Sequence, residues 1–376
     1  MTEVILALNA GSSSIKIQVL PVARDAPPLM TCTVERIGSE NARVLARVPD
    51  GAKSDRELSL PDHAAALQAC AQELEQTLGA ARVVAVAHRL VHGGKEFAAP
   101  VKIGPAEEQA LTDLIPLAPL HLPGGLAGIR AARDLFPEAL QVGCFDTGFH
   151  AAKPRLHDRF ALPARLYEAG LRRYGFHGLS CQSILRKLQE VDGTLPGTLI
   201  IAHLGNGCSV TAVNDGRSFG SSMGFSTLDG MAMGTRCGRI DPGALLYLLR
   251  EGMSVDDLED LLYRESGLLG LSGLSNDMRD LQASDSPAAK EAIDYFTSSC
   301  AQEISRAAAV LGGVETVVFC GGIGENAAPI RDRIIGALGF LRSPEGGRPQ
   351  FRVVPTDEER ELAIAAREVL AEALAG

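Results

Sequence analysis

The strongest constraint on the fold is a pattern that occurs twice. Residues 4–20, VILALNAGSSSIKIQVL, set two strand-forming runs on either side of the small polar segment Asn9-Ala10-Gly11-Ser12-Ser13-Ser14. Ile15, Ile17 and Val19 alternate with Lys16 and Gln18, the period of a strand with one buried face, so the stretch reads as a hairpin. Residues 198–216, TLIIAHLGNGCSVTAVNDG, repeat the arrangement: a strand, the turn Gly205-Asn206-Gly207-Cys208-Ser209, a second strand and an Asp-Gly turn. The first turn carries a glycine, three hydroxyls and an amide beside Lys16, a set able to converge on one anion, which is phosphate chemistry by composition. Solvated turns are also rich in Gly and Ser, and for the segment alone both readings stand.

Each hairpin leads an α/β module. After the first, short strands are expected over residues 30–36 and 43–48, with polar, Pro-broken stretches over 21–28 and 49–55. Residues 62–78 space Leu67, Cys70, Leu74 and Leu78 as one apolar helical stripe. Residues 82–91, RVVAVAHRLV, read as a buried strand whose end delivers His88, Arg89, His92, Gly93 and Gly94 to the edge where ligands sit in open α/β sheets. A helix over 125–136 and a strand over 139–145 follow, the latter ending on Asp146. In the second half, helices are expected over 242–251, 255–264 and 288–311. The strand 316–320 then enters the glycine turn Gly321-Gly322-Ile323-Gly324-Glu325-Asn326 and leaves as a helix from Pro329, an arrangement suited to a phosphate or nucleoside. A strand over 351–354 and a helix over 357–374 close the chain.

Length and charge bound the function. With 376 residues, 46% of them hydrophobic, the chain can bury two cores. A net charge of −10 argues against nucleic acid or an anionic membrane as the main partner. The eight cysteines form no CxxC pair and sit mostly in apolar runs, as reduced cytoplasmic thiols do. Glu3 stands where a signal peptide needs a cation, and residues 9–14 interrupt the apolar run, so no targeting or membrane segment is expected. Two facing modules with phosphate-friendly turns suggest a nucleotide clamp, which a chaperone-type ATPase, a sugar kinase and a carboxylate kinase would share.

Nine segments narrow the choice: LNAGSSSIK (8–16), HRLVHGG (88–94), APLH (118–121), FDTGFH (145–150), RRYGFHG (172–178), AHLGNGCS (202–209), MGTRCGRIDPG (233–243), GGIGEN (321–326) and PTDEE (355–359). They resemble, in order and over nearly the whole chain, the acetate and propionate kinase family. The resemblance implies the duplicated sugar kinase, Hsc70 and actin architecture, an α/β, ribonuclease H-like fold with an interdomain active-site cleft. Residues 1–149 would form the N-terminal domain and 150–361 a nucleotide-binding and dimerisation domain, with the helix 362–376 packing back on the first. It also implies a cytoplasmic homodimer that takes ATP and acetate, with Mg²⁺, or Mn²⁺ in its place, and makes acetyl phosphate.

The residues follow motif by motif. Arg89, Arg236, His121, His177 and Asp146 match the family's catalytic positions, and Asn9, Asp146 and Glu358 its metal positions. Anchoring the last motif on Pro355 selects Glu358, whereas anchoring on Leu362 favours Arg360 or Glu361. The phosphate side matches Asn9, Ser12, Ser14 and Lys16, faced by His203, Leu204, Gly205, Asn206 and Gly207. The adenosine side matches Asp277, Met278 and Arg279 with Gly322, Ile323, Gly324 and Asn326, Met278 replacing the usual Phe. Substrate contacts fall on Arg89 and on apolar walls at Val91, Leu120, Phe176 and Thr227, where Thr227 replaces a usual Pro.

The residue types suit the chemistry. A carboxylate acceptor is already ionised, so the reaction needs charge neutralisation more than a general base, and forked guanidinium groups can hold carboxylate and phosphoryl oxygens together. A propionate or short-chain acyl kinase shares these features, and a non-transferring, chaperone-like clamp shares all but the cations. By themselves Arg89 and Arg236 could be surface ion-pair formers. His88 and His92 are expected to orient the strand end, and Arg239 to be structural.

Overall fold

The computed structural model describes every residue except Met1, Ser12, Arg24, Asp25, Asp50, Ala52, Ala80 and Gly376, and all but the side chain of Leu374. The chain forms two compact units, Met1–Phe149 with Asp357–Gly376 (unit 1) and His150–Thr356 (unit 2). The second crossing comes ahead of the expected residue 361, because Glu358 and Glu359 already pair with unit 1 cations.

Unit 1 is built on an eight-stranded sheet. Its strands are β1 (Glu3–Ala10), β2 (Ser14–Pro21), β3 (Met30–Glu35), β4 (Ala42–Arg47), β5 (Lys53–Leu58), β6 (Arg82–Leu90), β7 (Val101–Lys102) and β8 (Leu140–Phe145). They lie in the order β5-β4-β3-β2-β1-β6-β8-β7. β1 to β5 form an antiparallel meander, while β1, β6 and β8 run parallel. Unit 2 has β9 (Thr198–Leu204), β10 (Cys208–Asn214), β11 (Arg217–Ser221), β12 (Thr316–Cys320) and β13 (Gln350–Val353), in the order β11-β10-β9-β12-β13. Here too the first three strands are antiparallel, and β9, β12 and β13 are parallel. Each hairpin therefore occupies the same place in its sheet, with its leading strand at the switch from antiparallel to parallel pairing.

The alternation in β2 puts Ile15, Ile17 and Val19 at 3% exposure or less, in a core shared with β1, β3, β4 and the helix His63–Leu78, while Ser14 and Lys16 face outward. Parallel strands covered on both faces read instead as continuous apolar runs, and all five residues of β12 are buried. Four details depart from expectation. The polar stretch at 53–58 is strand β5, pairing with β4 at the sheet edge, where charged residues are tolerated. The segment Gly321–Asn326, expected as a turn, is itself a short helix. The helix expected over 255–264 divides into an α-helix, Val255–Asp260, and a π-turn, Leu261–Glu265. The helix expected from Gly125 begins at Leu122, Pro123 occupying its first turn. All eight cysteines are free thiols. No helix among the described residues is long and apolar enough to cross a membrane.

Candidate active-site residues

Unit 1 gathers a charged cluster at the carboxyl ends of its parallel strands. Arg89, the penultimate residue of β6, donates from Nε to Asp146 Oδ1 at 3.1 Å and from Nη2 to Asp146 Oδ2 at 2.9 Å. Its third nitrogen, Nη1, lies 2.8 Å from Glu358 Oε2. Burial opposes the charge on Arg89, but the two carboxylates outweigh it and hold its pKa above the usual value. Asp146 is 2% exposed, and burial pushes its carboxyl up while Arg89 pulls it down. The adjacent Glu359 pairs with Lys16, so neighbouring glutamates serve different cations, and it is Glu358 that stands beside Asp146.

These acids suit one kind of metal. Among the described residues no group of three or more His, Cys, Asp or Glu side chains could hold an ion. Two carboxylates converging on one guanidinium offer hard oxygens but only part of a shell, a donor set that would suit Mg²⁺. They do not match a zinc-type cage.

The first turn, in the same unit, is pinned. Gly11 N donates to Ser14 O at 2.8 Å, and His63 Nε2 donates to Gly11 O at 2.7 Å. Asn9 pairs with Lys16 across the hairpin, which puts their side chains on one face with Ser14. Ser12 lies outside the described residues. His121 stands at the N-terminus of the helix Leu122–Leu135, half-buried like Val91 and Leu120. His88 and His92 behave structurally: His88 Nε2 meets Gln141 Oε1 at 2.8 Å and His92 Nδ1 accepts from Gly94 N at 2.9 Å.

Unit 2 holds the remaining cations. His177 adopts a left-handed backbone, φ 59°, at the head of the helix Gly178–Asp192, and its Nδ1 lies 2.9 Å from Ser209 Oγ. Its ring lies against that of His203, with centroids 4.3 Å apart. Arg236 Nη1 donates to Thr227 O at 3.3 Å, and Arg236 has no carboxylate partner among the described residues. Burial lowers its pKa, yet a guanidinium remains a cation at any working pH. Both side chains converge on the second turn: a Cβ at Gly207 would stand 3.4 Å from Arg236 Nη1 and 3.6 Å from His177 Nε2. Phe176 and Thr227 are buried in the same unit, at 1% and 8% exposure. Arg239 pairs with Glu303 and is structural.

Next to the turn is a cavity of about 600 Å³ lined by Gly205, Asn206, Asp277, Met278, Arg279, Gly322, Ile323 and Asn326. Asn276, Gln282 and Ala327 complete its wall and are missed by the sequence reading. Asn276 was reachable, since its amide lies 3.4 Å from Asn206 Oδ1 and precedes the expected Asp277. His203, Leu204, Gly207 and Gly324 do not line it: Leu204 is wholly buried under the turn, and Gly207 faces Arg236. Asp277 caps the helix Met278–Ala283, and its pairing with Arg279 lowers its carboxyl to about 2. Ser209, which orients His177, is a further residue the motif reading leaves unused.

The model of the acetokinase family matches residues 4–344. The acetate kinase of Methylocella silvestris is 44% identical over 96% of this chain and 97% of its own. The acetate kinase of Methanosarcina acetivorans is 38% identical over 97% and 96%. Among solved structures, a Porphyromonas gingivalis acetate kinase superposes with a TM-score of 0.87 at 33% identity, covering 98% of this chain and 100% of that one. A propionate kinase from Francisella tularensis gives 0.89 at 35% identity, covering 97% and 98%.

Proposed function

We propose that this chain, which belongs to the acetokinase family, transfers the γ-phosphoryl group of ATP reversibly and directly to acetate. An acetate oxygen forms the new P–O bond as the bond to the β-phosphate oxygen breaks, and ADP leaves. No proton has to be removed from the nucleophile, so the work of the site is positioning and charge neutralisation.

The observation that carries this reading is Arg236, a half-buried guanidinium with no carboxylate partner among the described residues, facing Gly207 together with His177. A partly desolvated cation without a counter-charge is costly, and an anionic substrate group would supply one. His177 Nε2 lies on the side of the phosphate turn, where a proton on that nitrogen would be donated to a phosphoryl oxygen. Asn206 and Gly207 of the second turn, with Asn9, Ser14 and Lys16 of the first, are assigned to the phosphate chain. The 600 Å³ cavity is assigned to the nucleoside, the Met278 side chain serving the base as an apolar surface without ring stacking. Asp146 and Glu358, with Asn9, would hold Mg²⁺, which when bound offsets phosphate charge. Arg89 is assigned to the acetate carboxylate, His121 to the transferring group, and Val91, Leu120, Phe176 and Thr227 to the methyl end.

Acetate is the proposed acceptor, with propionate a slower one, because one methylene in an apolar pocket is worth only ~1–3 kcal/mol. A cytoplasmic homodimer is part of the same reading. The helix Pro242–Arg250 supports it, since none of its residues is buried although Leu246 and Tyr247 are 53% and 60% exposed. The test is acyl hydroxamate formation from ATP, Mg²⁺, hydroxylamine and acetate, propionate or butyrate. The expected order is acetate, propionate, butyrate; no product above background with any of them would refute the reading.

A further inference from the structure

Arg236 lacks the carboxylate that orients Arg89, and beyond the 3.3 Å hydrogen bond from Nη1 to Thr227 O its direction depends on the loop that carries it. That loop is bound on its far side to the π-turn Leu261–Glu265 and the residues after it. Cys237 N donates to Leu262 O at 3.1 Å, Ser266 N to Thr235 O at 3.0 Å and Leu268 N to Met233 O at 2.8 Å. One side chain joins them: Thr235 Oγ1 donates to Tyr263 O at 2.8 Å. At the end of the segment, Gly267 has φ +64°, and a Cβ there would meet Met233 O and come within 2.8 Å of Arg236 O. The fit between loop and segment is thus close at both ends. On the near side, Gly234 N donates to Asn206 O at 3.1 Å, which ties the loop to the phosphate turn.

We infer that Thr235 is the positioning residue of Arg236: its hydroxyl, bonded to the Tyr263 carbonyl of a π-turn, fixes the backbone from which the guanidinium reaches Gly207. A π-turn suits this use. It offers a carbonyl at Tyr263 to a side chain outside the helix, and such turns recur at functional sites. The tether acts on a residue immediately before Arg236, so a small rotation of the loop is amplified along the long arginine side chain. Displacements of about 1 Å at a reacting group cost about 10²-fold in rate. The inference rests on the role given to Arg236 above.

Four variants test it. Thr235→Val keeps the shape and removes the donor; kcat is expected to fall 10-fold or more, with the Kd for ADP within twofold of wild type. Thr235→Ser restores the hydroxyl and is expected to recover most of the rate, which a purely packing role of the threonine methyl would not allow. Should Thr235→Val fail to give a cooperative melt, Thr235→Ala removes the donor without bulk and carries the same expectation. Arg236→Ala separates the two claims: if it is active, the role of Arg236 fails. If Arg236→Ala is inactive while the donor-deleted variant turns over like wild type, or if Thr235→Ser is as slow as Thr235→Val, the positioning inference is overturned.

Discussion

Arg89 grips Asp146 with two parallel hydrogen bonds, Nε to Oδ1 at 3.1 Å and Nη2 to Oδ2 at 2.9 Å, and still has Nη1 for Glu358. Arg236 is likewise half-buried but has no acid beside it among the described residues. Two arginines assigned to one reaction therefore stand in opposite electrostatic states, and their removal should separate activity from stability.

Arg89→Ala strands Asp146 and Glu358 next to each other in a poorly solvated site. Breaking a buried pair by deleting one partner typically costs ~3–5 kcal/mol, so the melting temperature should drop along with kcat. Arg236→Ala removes a partly desolvated charge with no carboxylate partner among the described residues, and its melting temperature should hold or rise while kcat falls by about 10³-fold or more. Thermal melts and steady-state rates on the two variants check this. Equal destabilisation would mean that Arg236 has a counter-charge in solution.

The same carboxylates that Arg89 holds are those assigned to Mg²⁺, so a bound metal would compete with the guanidinium for them. Asp146→Asn should raise the free Mg²⁺ needed for half-maximal rate by at least an order of magnitude, and Glu358→Gln should raise it less, since Glu358 is the more exposed acid. Glu359→Gln, which loses only the pair with Lys16, should leave the Mg²⁺ dependence within about twofold. Initial rates against free Mg²⁺ at saturating ATP decide the order. A Mg²⁺ shift in Glu359→Gln matching that of Asp146→Asn would reassign the second ligand.

The helix Pro242–Arg250 should mark the surface between two copies of the chain. It is flanked by Ile240 at 40% exposure and Val255 at 71%, so the apolar surface extends past both of its ends. Tyr247→Glu with Leu246→Glu should convert a dimer to a monomer in light scattering after size exclusion, with little loss of helix content. A wild-type monomer at micromolar concentration would remove this proposal.

Much of this was legible from short-range chemistry. The β1–β2 hairpin announces itself because one face of its second strand must be apolar, and Asp146 is predictable as the residue that follows a largely apolar strand. What was hidden depends on contacts far apart in sequence. The strand β5 carries Lys53, Asp55, Arg56 and Glu57, letters that suit a loop until β4 supplies its hydrogen bonds. Gly321–Asn326 has the composition of a turn and is helical, Gly321 at φ +76° letting it start hard against the Leu204 backbone. The letters PTDEERE left Glu358 open against Arg360 or Glu361, because motif spacing cannot see that it is Glu358 that reaches Arg89. The division between Gly205 and Asn206, which face the cavity, and Gly207, which faces Arg236, is likewise a property of the folded turn.

Buried histidines should make the protein acid-sensitive. Burial lowers the pKa of His88 and His92 to about 4 and of His150 to about 3, against 6.5 for a free side chain. Below 6.5 the unfolded chain takes up protons that these folded residues refuse, so stability is complete above that pH and is lost as pH falls toward 4. Each such residue costs ~2 kcal/mol between pH 6.5 and 5, because every pH unit in that window is worth ~1.4 kcal/mol per proton refused. The melting temperature should therefore be lower at pH 5 than at pH 7.5. His88→Gln, which can still meet Gln141 but cannot titrate, should narrow that difference by several degrees. An unchanged difference would show that His88 binds its proton equally well in the folded chain, and the burial of its ring beside Gln141 would then need a different account.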